Sequence, residues 1–346
     1  MNVAIILDET WNSSLTFLGK VFLEILNKSC QVSLLCQQDS YIDKAVKTNK
    51  YYIKNLRTKN PINFFRNLNQ IRNYFNDIKP QLVFTIRGDA TFYACLLKKH
   101  NNFKLVRIFG ESRKPKLNRH CVDYVFLSPK KFENFINIPH KVINGVVDTK
   151  KFTYKKEGAL KIRKEFGIDD SAFVYGFIGR TSPVKGISLL LEAFSKLTRQ
   201  AKLFMLVYET EIKINDLLQK IKQLNLQDCV IIESNYRDDV KDIISAFDVG
   251  VVSSIGSEAI ARTSLEYLSA GKPCIVTDVG CLAEVVSQDC AIVCKPNVAS
   301  LYQALNDIQS KNLTQMGQSA LKNAQMYSME SLKFLIDEAL NEIQNL

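Results

Sequence analysis

The stretch FVYGFIGRTSPVKGISLLLEAF occupies residues 173–194, and the fold can be read outward from it. Phe173–Ile178 is an uncharged run rich in aromatic and branched residues, the composition of a strand covered on both faces. Gly179-Arg180 ends it. After a short loop, Lys185-Gly186 precedes Ile187–Leu197, where apolar residues recur at helical spacing.

The same alternation continues on both sides. Downstream, Leu203–Val207, Val230–Ile232, Val249–Val252, Cys274–Val276 and Ala291–Val293 read as strands. Helical patterns separate them at Ile214–Leu224, Val240–Phe247, Ser264–Ala270 and Leu301–Ile308. Upstream, strands are predicted at Asn2–Leu7, Cys30–Gln37, near Tyr51–Leu56, and at Leu82–Ile86, Lys104–Phe109 and Tyr124–Leu127. The intervening helices are predicted at Ser13–Asn27, Phe64–Ile78, Thr91–Lys98 and Lys130–Ile136. Such alternation implies an α/β protein with parallel sheets clad in helices. A length of 346 residues suits two doubly wound, Rossmann-like domains. They are expected at residues 1–150 and 151–328, joined near Asp148–Gly158 and facing each other across a cleft. Residues 329–346 are expected to form a last helix that packs back on the first domain.

Composition excludes several classes. Hydrophobic residues make up 46% and charged residues 23%, enough apolar surface to fold and too little charge for a disordered chain. The first apolar run, Val3–Leu7, falls far short of the ~20 residues of a membrane span and lacks the flanks of a signal peptide. The nine cysteines are scattered without a Cys-x-x-Cys pair, which reads as reduced thiols in a cytoplasmic protein. His100, His120 and His140 show no metal-ligand spacing. Charge is lopsided: residues 1–150 hold 24 Lys and Arg against 11 Asp and Glu (+13), and the remainder holds 22 against 24 (−2). A basic half attracts nucleic acid, anionic lipid or a phosphorylated substrate, or is simply a solvated lysine-rich surface.

In doubly wound sheets, ligands sit beyond the C-terminal ends of the strands. Arg180 and Lys185 fall there, two cations beside glycines at a helix start, a pattern suited to a diphosphate. An ordinary surface turn would carry the same residues. The motif is neither Gly-x-Gly-x-x-Gly nor a P-loop, so dinucleotide oxidoreductases and P-loop NTPases lose support. The second candidate is Glu258, in the loop after Val249–Val252, with Glu266 eight residues on in the following helix. Amides near Ala261, Arg262 and Thr263 would face an anion from the helix start, and Glu266, about two turns in, could accept ribose hydroxyls. A plain buried helix with one capping and one surface glutamate is the alternative.

Taken together and in order, these segments resemble the retaining glycosyltransferases of family 4, which have the GT-B fold. FIGRTSPVKGISLLLEAF resembles that family's Gly-Arg…Lys-Gly segment, and Glu258 to Glu266 its Glu-x7-Glu motif. LEYLSAGKPCIVTDVGCLAEVV is similar to the segment running from the second Glu through Gly-Lys-Pro to a late Glu, here Glu284. KVINGVVDTKKF, residues 141–152, is similar to its interdomain segment. The likeness is strong over residues 141–295 and rests on strand order before them.

The resemblance implies a nucleotide-sugar donor, a glycan or lipid-linked acceptor, and neither a cofactor nor a metal. Arg180 and Lys185, with Gly179, would hold the diphosphate. Glu258 would meet donor-sugar hydroxyls, Glu266 the ribose, and the amides of Ala261, Arg262 and Thr263 the phosphates. Arg237, in the loop Asn235-Tyr236-Arg237, is placed near the base. Two departures bear on sugar identity: Ala259-Ile260 follow Glu258 where the family often has Gly and an aromatic, and Arg262 occupies a usually apolar position. The family's acceptor-side His is absent, so Asp89 and Glu111, each after a first-domain strand, are the candidate acceptor carboxylates. Arg113, Lys114, Lys116 and Arg119 would line the acceptor side or touch anionic lipid; the Lys-, Arg- and aromatic-rich segment 44–66 would suit a membrane surface at its cytoplasmic face or be an ordinary helix-and-loop surface with its aromatics in the core. A binding protein without turnover is the alternative function. Nucleic-acid binding lacks any recognition motif.

Overall fold

The computed structural model describes residues 1–111, 113–115, 121–197, 200–256 and 258–346. The chain divides into two compact units, Met1–Asn144 with Leu332–Leu346, and Gly145–Ser331.

The first unit holds strands β1 (Asn2–Leu7), β2 (Gln31–Cys36), β3 (Asn49–Tyr52), β4 (Leu82–Thr85), β5 (Lys104–Gly110), β6 (Tyr124–Ser128) and β7 (His140–Val142). Helices α1 (Ser14–Leu26), α2 (Tyr41–Ala45), α3 (Pro61–Ile78) and α4 (Gly88–Lys98) connect them. The strands pair in parallel in the order β3-β2-β1-β4-β5-β6-β7, so the order reverses between β1 and β4. One face of the sheet, with Ala4, Ile6, Val83 and Leu105, belongs to the same core as Ile71 and Phe75 of α3 and Ala94 and Leu97 of α4. On α1, Phe22 lies edge-on to Phe126, ring centres 4.8 Å apart. Helix starts follow local chemistry: the Ser13 hydroxyl accepts from the Thr16 amide at 2.9 Å, and Asn60 caps α3 ahead of Pro61.

The second unit holds β8 (Val174–Arg180), β9 (Lys202–Tyr208), β10 (Val230–Glu233), β11 (Val249–Val252), β12 (Cys274–Thr277) and β13 (Ala291–Cys294). Its helices are α5 (Lys156–Glu165), α6 (Ile187–Phe194), α7 (Ile214–Gln223), α8 (Val240–Ala246), α9 (Arg262–Ser269), α10 (Val298–Ile308) and α11 (Leu313–Gln325). The parallel order β10-β9-β8-β11-β12-β13 reverses between β8 and β11. Two cores form: one includes Phe204, Phe247, Leu265 and Tyr267, the other Leu190, Met205, Val251 and Leu301. The last helix, α12 (Met329–Gln344), belongs to the first unit from Leu332 onward. It buries Leu332, Ile336, Ala339 and Ile343, and Glu342 accepts from the Tyr124 hydroxyl at 2.6 Å.

Several expectations need correction. The third strand is Asn49–Tyr52 rather than Tyr51–Leu56, because Ile53 and Leu56 turn into the core beyond the strand. Lys130–Phe135 is a 3-10 helix, following the extended Pro129. The units part at Asn144 rather than near Asp148–Gly158: Val147 bridges to Ser328, and Phe152 packs in the second unit's core. Cys95 of α4 and Cys121 form a disulfide with Cα atoms 5.5 Å apart, so these two are not reduced thiols. Their 26-residue separation gave no spacing signal; β5 and the turn before β6 bring them together.

Candidate functional site

The order reversal between β8 and β11 places two loops side by side at the C-terminal end of the second sheet. Gly179 and Arg180 end β8 and Lys185 lies in the turn that follows; the loop after β11 carries Ser253, Ser254 and Glu258. They are stitched together. The Ile255 amide donates to the Val184 carbonyl at 2.9 Å, and the Ser253 hydroxyl to the Lys185 carbonyl at 3.0 Å. Gly186 makes this approach possible. Its φ is +66°, and a Cβ there would stand 2.0 Å from the Ser253 carbonyl oxygen.

The Lys185 ammonium lies 2.5 Å from Glu258 Oε1, which also accepts from the Ser254 hydroxyl. Glu258 is only 7% exposed, and burying a carboxylate at that depth requires such partners. Its backbone is gripped as well. The Cys281 amide donates to the Glu258 carbonyl at 2.9 Å, and Gly280, at φ +65°, would set a Cβ 1.6 Å from that same oxygen. Thr277 at the end of β12 donates through its hydroxyl to the Ser254 carbonyl at 2.5 Å. Ser254, Thr277 and Gly280 thus hold the Glu258 loop, and none of them stood out in the sequence.

Helix α9 starts beside this loop. Glu266 is its fifth residue, about one turn in rather than two, and is 7% exposed. Arg262 Nε lies 3.0 Å from Glu266 Oε1, one turn apart on the same helix. The Arg262 amide donates to the Ile260 carbonyl at 3.1 Å, so this amide is already used, contrary to the expectation of an open anion contact. Ala261 is the N-cap residue and Thr263 lies in the first turn. An ammonium held beside a buried carboxylate, a second cation at the end of β8 and a helix start can together receive a diphosphate and hydroxyl groups.

Residues 159–325 match the family described as glycosyl transferases group 1. The chain carries a group 1 glycosyltransferase domain. It is 27% identical over 143 residues to the N-acetyl-alpha-D-glucosaminyl L-malate synthase of Bacillus anthracis, covering 41% of this chain and 37% of that protein. It is 28% identical over 147 residues to the lipopolysaccharide 1,2-N-acetylglucosaminetransferase of Salmonella typhimurium, covering 39% of this chain and 38% of that protein. The chain therefore spans well under half the length of these relatives. The crystal structure of Anabaena Alr3699/HepE in complex with UDP superposes with a TM-score of 0.86 at 16% identity, over 99% of this chain and 100% of that one. The fold of the group 1 domain and of the unit before it is therefore GT-B.

Arg237 has other partners than a nucleotide base. Its guanidinium donates to Asp239 Oδ1 and Oδ2 at 2.8 Å each and to both oxygens of Glu165, and lies 5.7 Å from the Phe166 ring centre. These contacts tie α5 of the group 1 domain to the loop before α8. The neighbouring Tyr236 is 86% exposed.

In the first unit, the reversal between β1 and β4 gathers a second polar group. Asp89 falls in the first turn of α4, not in a loop, because α4 begins at Gly88. Glu111 follows β5 and accepts from Arg107 Nη2 at 2.6 Å. Arg107 sits inside β5, 2% exposed; burial lowers its pKa to about 10, with Glu111 acting in the opposite direction. Asp8 follows β1; burial raises its pKa, while the Arg87 guanidinium pulls it down. Asp8 Oδ2 accepts from the Leu56 amide at 3.3 Å, and Arg87 lies 3.8 Å from Glu9. The lone arginine in the apolar strand KLVRIFG was the available signal for this group. Of the basic run, Lys114 stands 4.2 Å from the Phe135 ring centre; Lys116, Arg119 and His120 lie outside the described residues. Among the described residues, no helix is long and apolar enough to cross a membrane.

Proposed function

We propose that this chain transfers a glycosyl group from a nucleoside-diphosphate sugar to a hydroxyl of a growing glycan or lipid-linked saccharide, with retention of configuration and without a metal ion. The observation that carries the reading is the Lys185–Glu258 contact of 2.5 Å at the β8/β11 reversal, with Arg180 and the start of α9 alongside. Support comes from the group 1 match, from HepE, which was crystallised with UDP, and from relatives named for transfer of N-acetylglucosamine.

In this mechanism Arg180 and Lys185 neutralise the departing diphosphate as the glycosidic bond breaks, which is the task a divalent ion would otherwise perform. Lys185 exchanges its partner Glu258 for the diphosphate, and the released carboxylate accepts from donor-sugar hydroxyls. Glu266 accepts from the ribose, and the amides of Ala261 and Thr263 face the phosphates. Asp89 and Glu111 orient the acceptor. That acceptor is presented at the cytoplasmic face of a membrane, to which the basic first 150 residues are attracted.

The test is a metal-free thermal-shift series with nucleoside diphosphates and nucleotide sugars. A nucleotide at 100 times its Kd stabilises the fold by about 2.7 kcal/mol. A selective shift is expected for the wild type and should vanish in Arg180→Ala and Glu266→Ala. In a transfer assay, Lys185→Ala should cost about a hundredfold in rate. No shift from a folded protein with any nucleotide would reject the reading. A second reading, donor binding without turnover, is favoured by the Arg262–Glu266 ion pair and the used Arg262 amide; a nucleotide shift without sugar transfer or donor hydrolysis would select it.

A further inference from the structure

From Lys44 to Asn76 the sequence contains eight Lys and Arg and no Asp or Glu. This is the chain's most one-sided stretch of charge that also carries aromatics. Its later part, from Lys54 onward, leads into and along α3, which with α4 carries an exposed apolar surface. Ile62 is 69% exposed, Phe65 65%, Phe92 55% and Leu96 40%. They form one patch across the two helices. The half-buried Phe64 has its ring centre 5.3 Å from that of Phe65, 6.2 Å from that of Phe92 and 5.2 Å from that of the buried Tyr93.

Cations flank this patch. Lys54, Arg57 and Lys59 lie exposed in the segment leading into α3, and Arg66 is exposed beside Phe65. That segment is pinned to α3 by the Asn67 side chain, which donates to the Asn55 carbonyl at 3.2 Å. None of these four cations makes an ion pair with another described residue; only Lys50, further upstream, reaches Asp43. A folded surface that leaves cations unpaired and aromatics uncovered pays no internal dividend for either. Both are satisfied together by a plane that is apolar inside and negative at its surface.

We propose that the exposed α3–α4 patch seats the first unit on a bilayer containing anionic lipid. Ile62, Phe65, Phe92 and Leu96 enter the boundary between headgroups and acyl chains, and Arg57, Lys59 and Arg66 engage the headgroup charge. The proposal rests on the membrane-face part of the function proposed above, and it makes that part specific by naming the surface. It requires neither a bound nucleotide nor turnover.

The experiment is co-sedimentation of the full chain with vesicles of phosphatidylcholine mixed with phosphatidylglycerol, and with vesicles of phosphatidylcholine alone. Binding is expected to the mixed vesicles, and to fall with added salt. Each removed cation should weaken it about fivefold, so Arg57→Gln/Lys59→Gln/Arg66→Gln should weaken it about a hundredfold. Phe65→Ser/Phe92→Ser should abolish binding without lowering the thermal midpoint, since both rings are exposed. Equal binding to both vesicle types, or by either variant and the wild type, would overturn the proposal. So would a wild-type dimer in sedimentation velocity that Phe65→Ser/Phe92→Ser converts to monomer, because the patch would then be covered by a second copy. Vesicle binding that persists in a protein without transfer activity would reject the enzymatic reading and leave this one standing.

Discussion

Glu258 is held by two kinds of restraint, and they predict different failures. Its carboxylate is matched to Lys185 and Ser254; its backbone is matched to a glycine. Gly280→Ala forces an L side chain into the left-handed region, at about 1–2 kcal/mol, and presses a methyl group against the Glu258 carbonyl oxygen. We expect a lower thermal midpoint together with lost transfer, and a variant with normal stability and rate would show that the Glu258 loop can give way. Lys272, in the Gly-Lys-Pro segment, offers a pH test. Burial lowers its pKa from 10.5 to about 8, with nearby Asp248 opposing, and its ammonium stands 4.6 Å from the Tyr154 ring centre. The unfolded chain keeps this proton up to about pH 10.5 and the folded chain only to about 8, so the penalty is full below pH 8 and fades as pH rises through that window. Lys272→Met should therefore melt above the wild type at pH 7 and lose that advantage between pH 8 and 10.5. An advantage constant with pH would show that the ammonium is not the penalised form.

Helix α12 completes a unit whose other residues, Met1–Asn144, lie far before it in the sequence. Ile336 is fully buried in the first unit, and Ile336→Ala should cost about 2–5 kcal/mol. Urea unfolding followed at the first unit's aromatics would measure it; no change in midpoint would show the helix to be dispensable there. The strands of the group 1 domain were legible because parallel strands buried on both faces read as uninterrupted apolar runs, as in Phe173–Ile178 and Val249–Val252. Asn49–Tyr52 was misplaced because its outward residues are polar and the apolar Ile53 and Leu56 lie past its end. Of the candidate site, the charged residues at fixed spacing were legible, namely Lys185, Glu258 and Glu266. It was illegible where it depends on contacts across strands: Thr277 reaches Ser254 through β12 and β11, and Arg237 is claimed by Glu165, 72 residues upstream.

Across the whole molecule, charge and chemistry are divided. The net charge of +13 in residues 1–150 is separated from the Lys185–Glu258 site, which lies in the nearly neutral remainder. Under the two proposals above, substitutions in the basic half should change vesicle binding and leave nucleotide binding unchanged, and substitutions at Lys185 or Glu258 should do the reverse. The two units also differ in how the chain supplies them. The group 1 domain lies within one unbroken segment, Gly145–Ser331, whereas the first unit needs Leu332–Leu346 to be complete. During synthesis the ribosome must add 187 residues (331 − 145 + 1) after Asn144 before it reaches Leu332, where the first unit resumes. At about 5–20 residues per second, the seven-stranded sheet waits roughly 10–40 s with the hydrophobic seat of α12 open to water. The unit that starts first thus finishes last, and a nascent chain stalled after Ser331 would present a completed second unit and an unfinished first one to the chaperones of the cell.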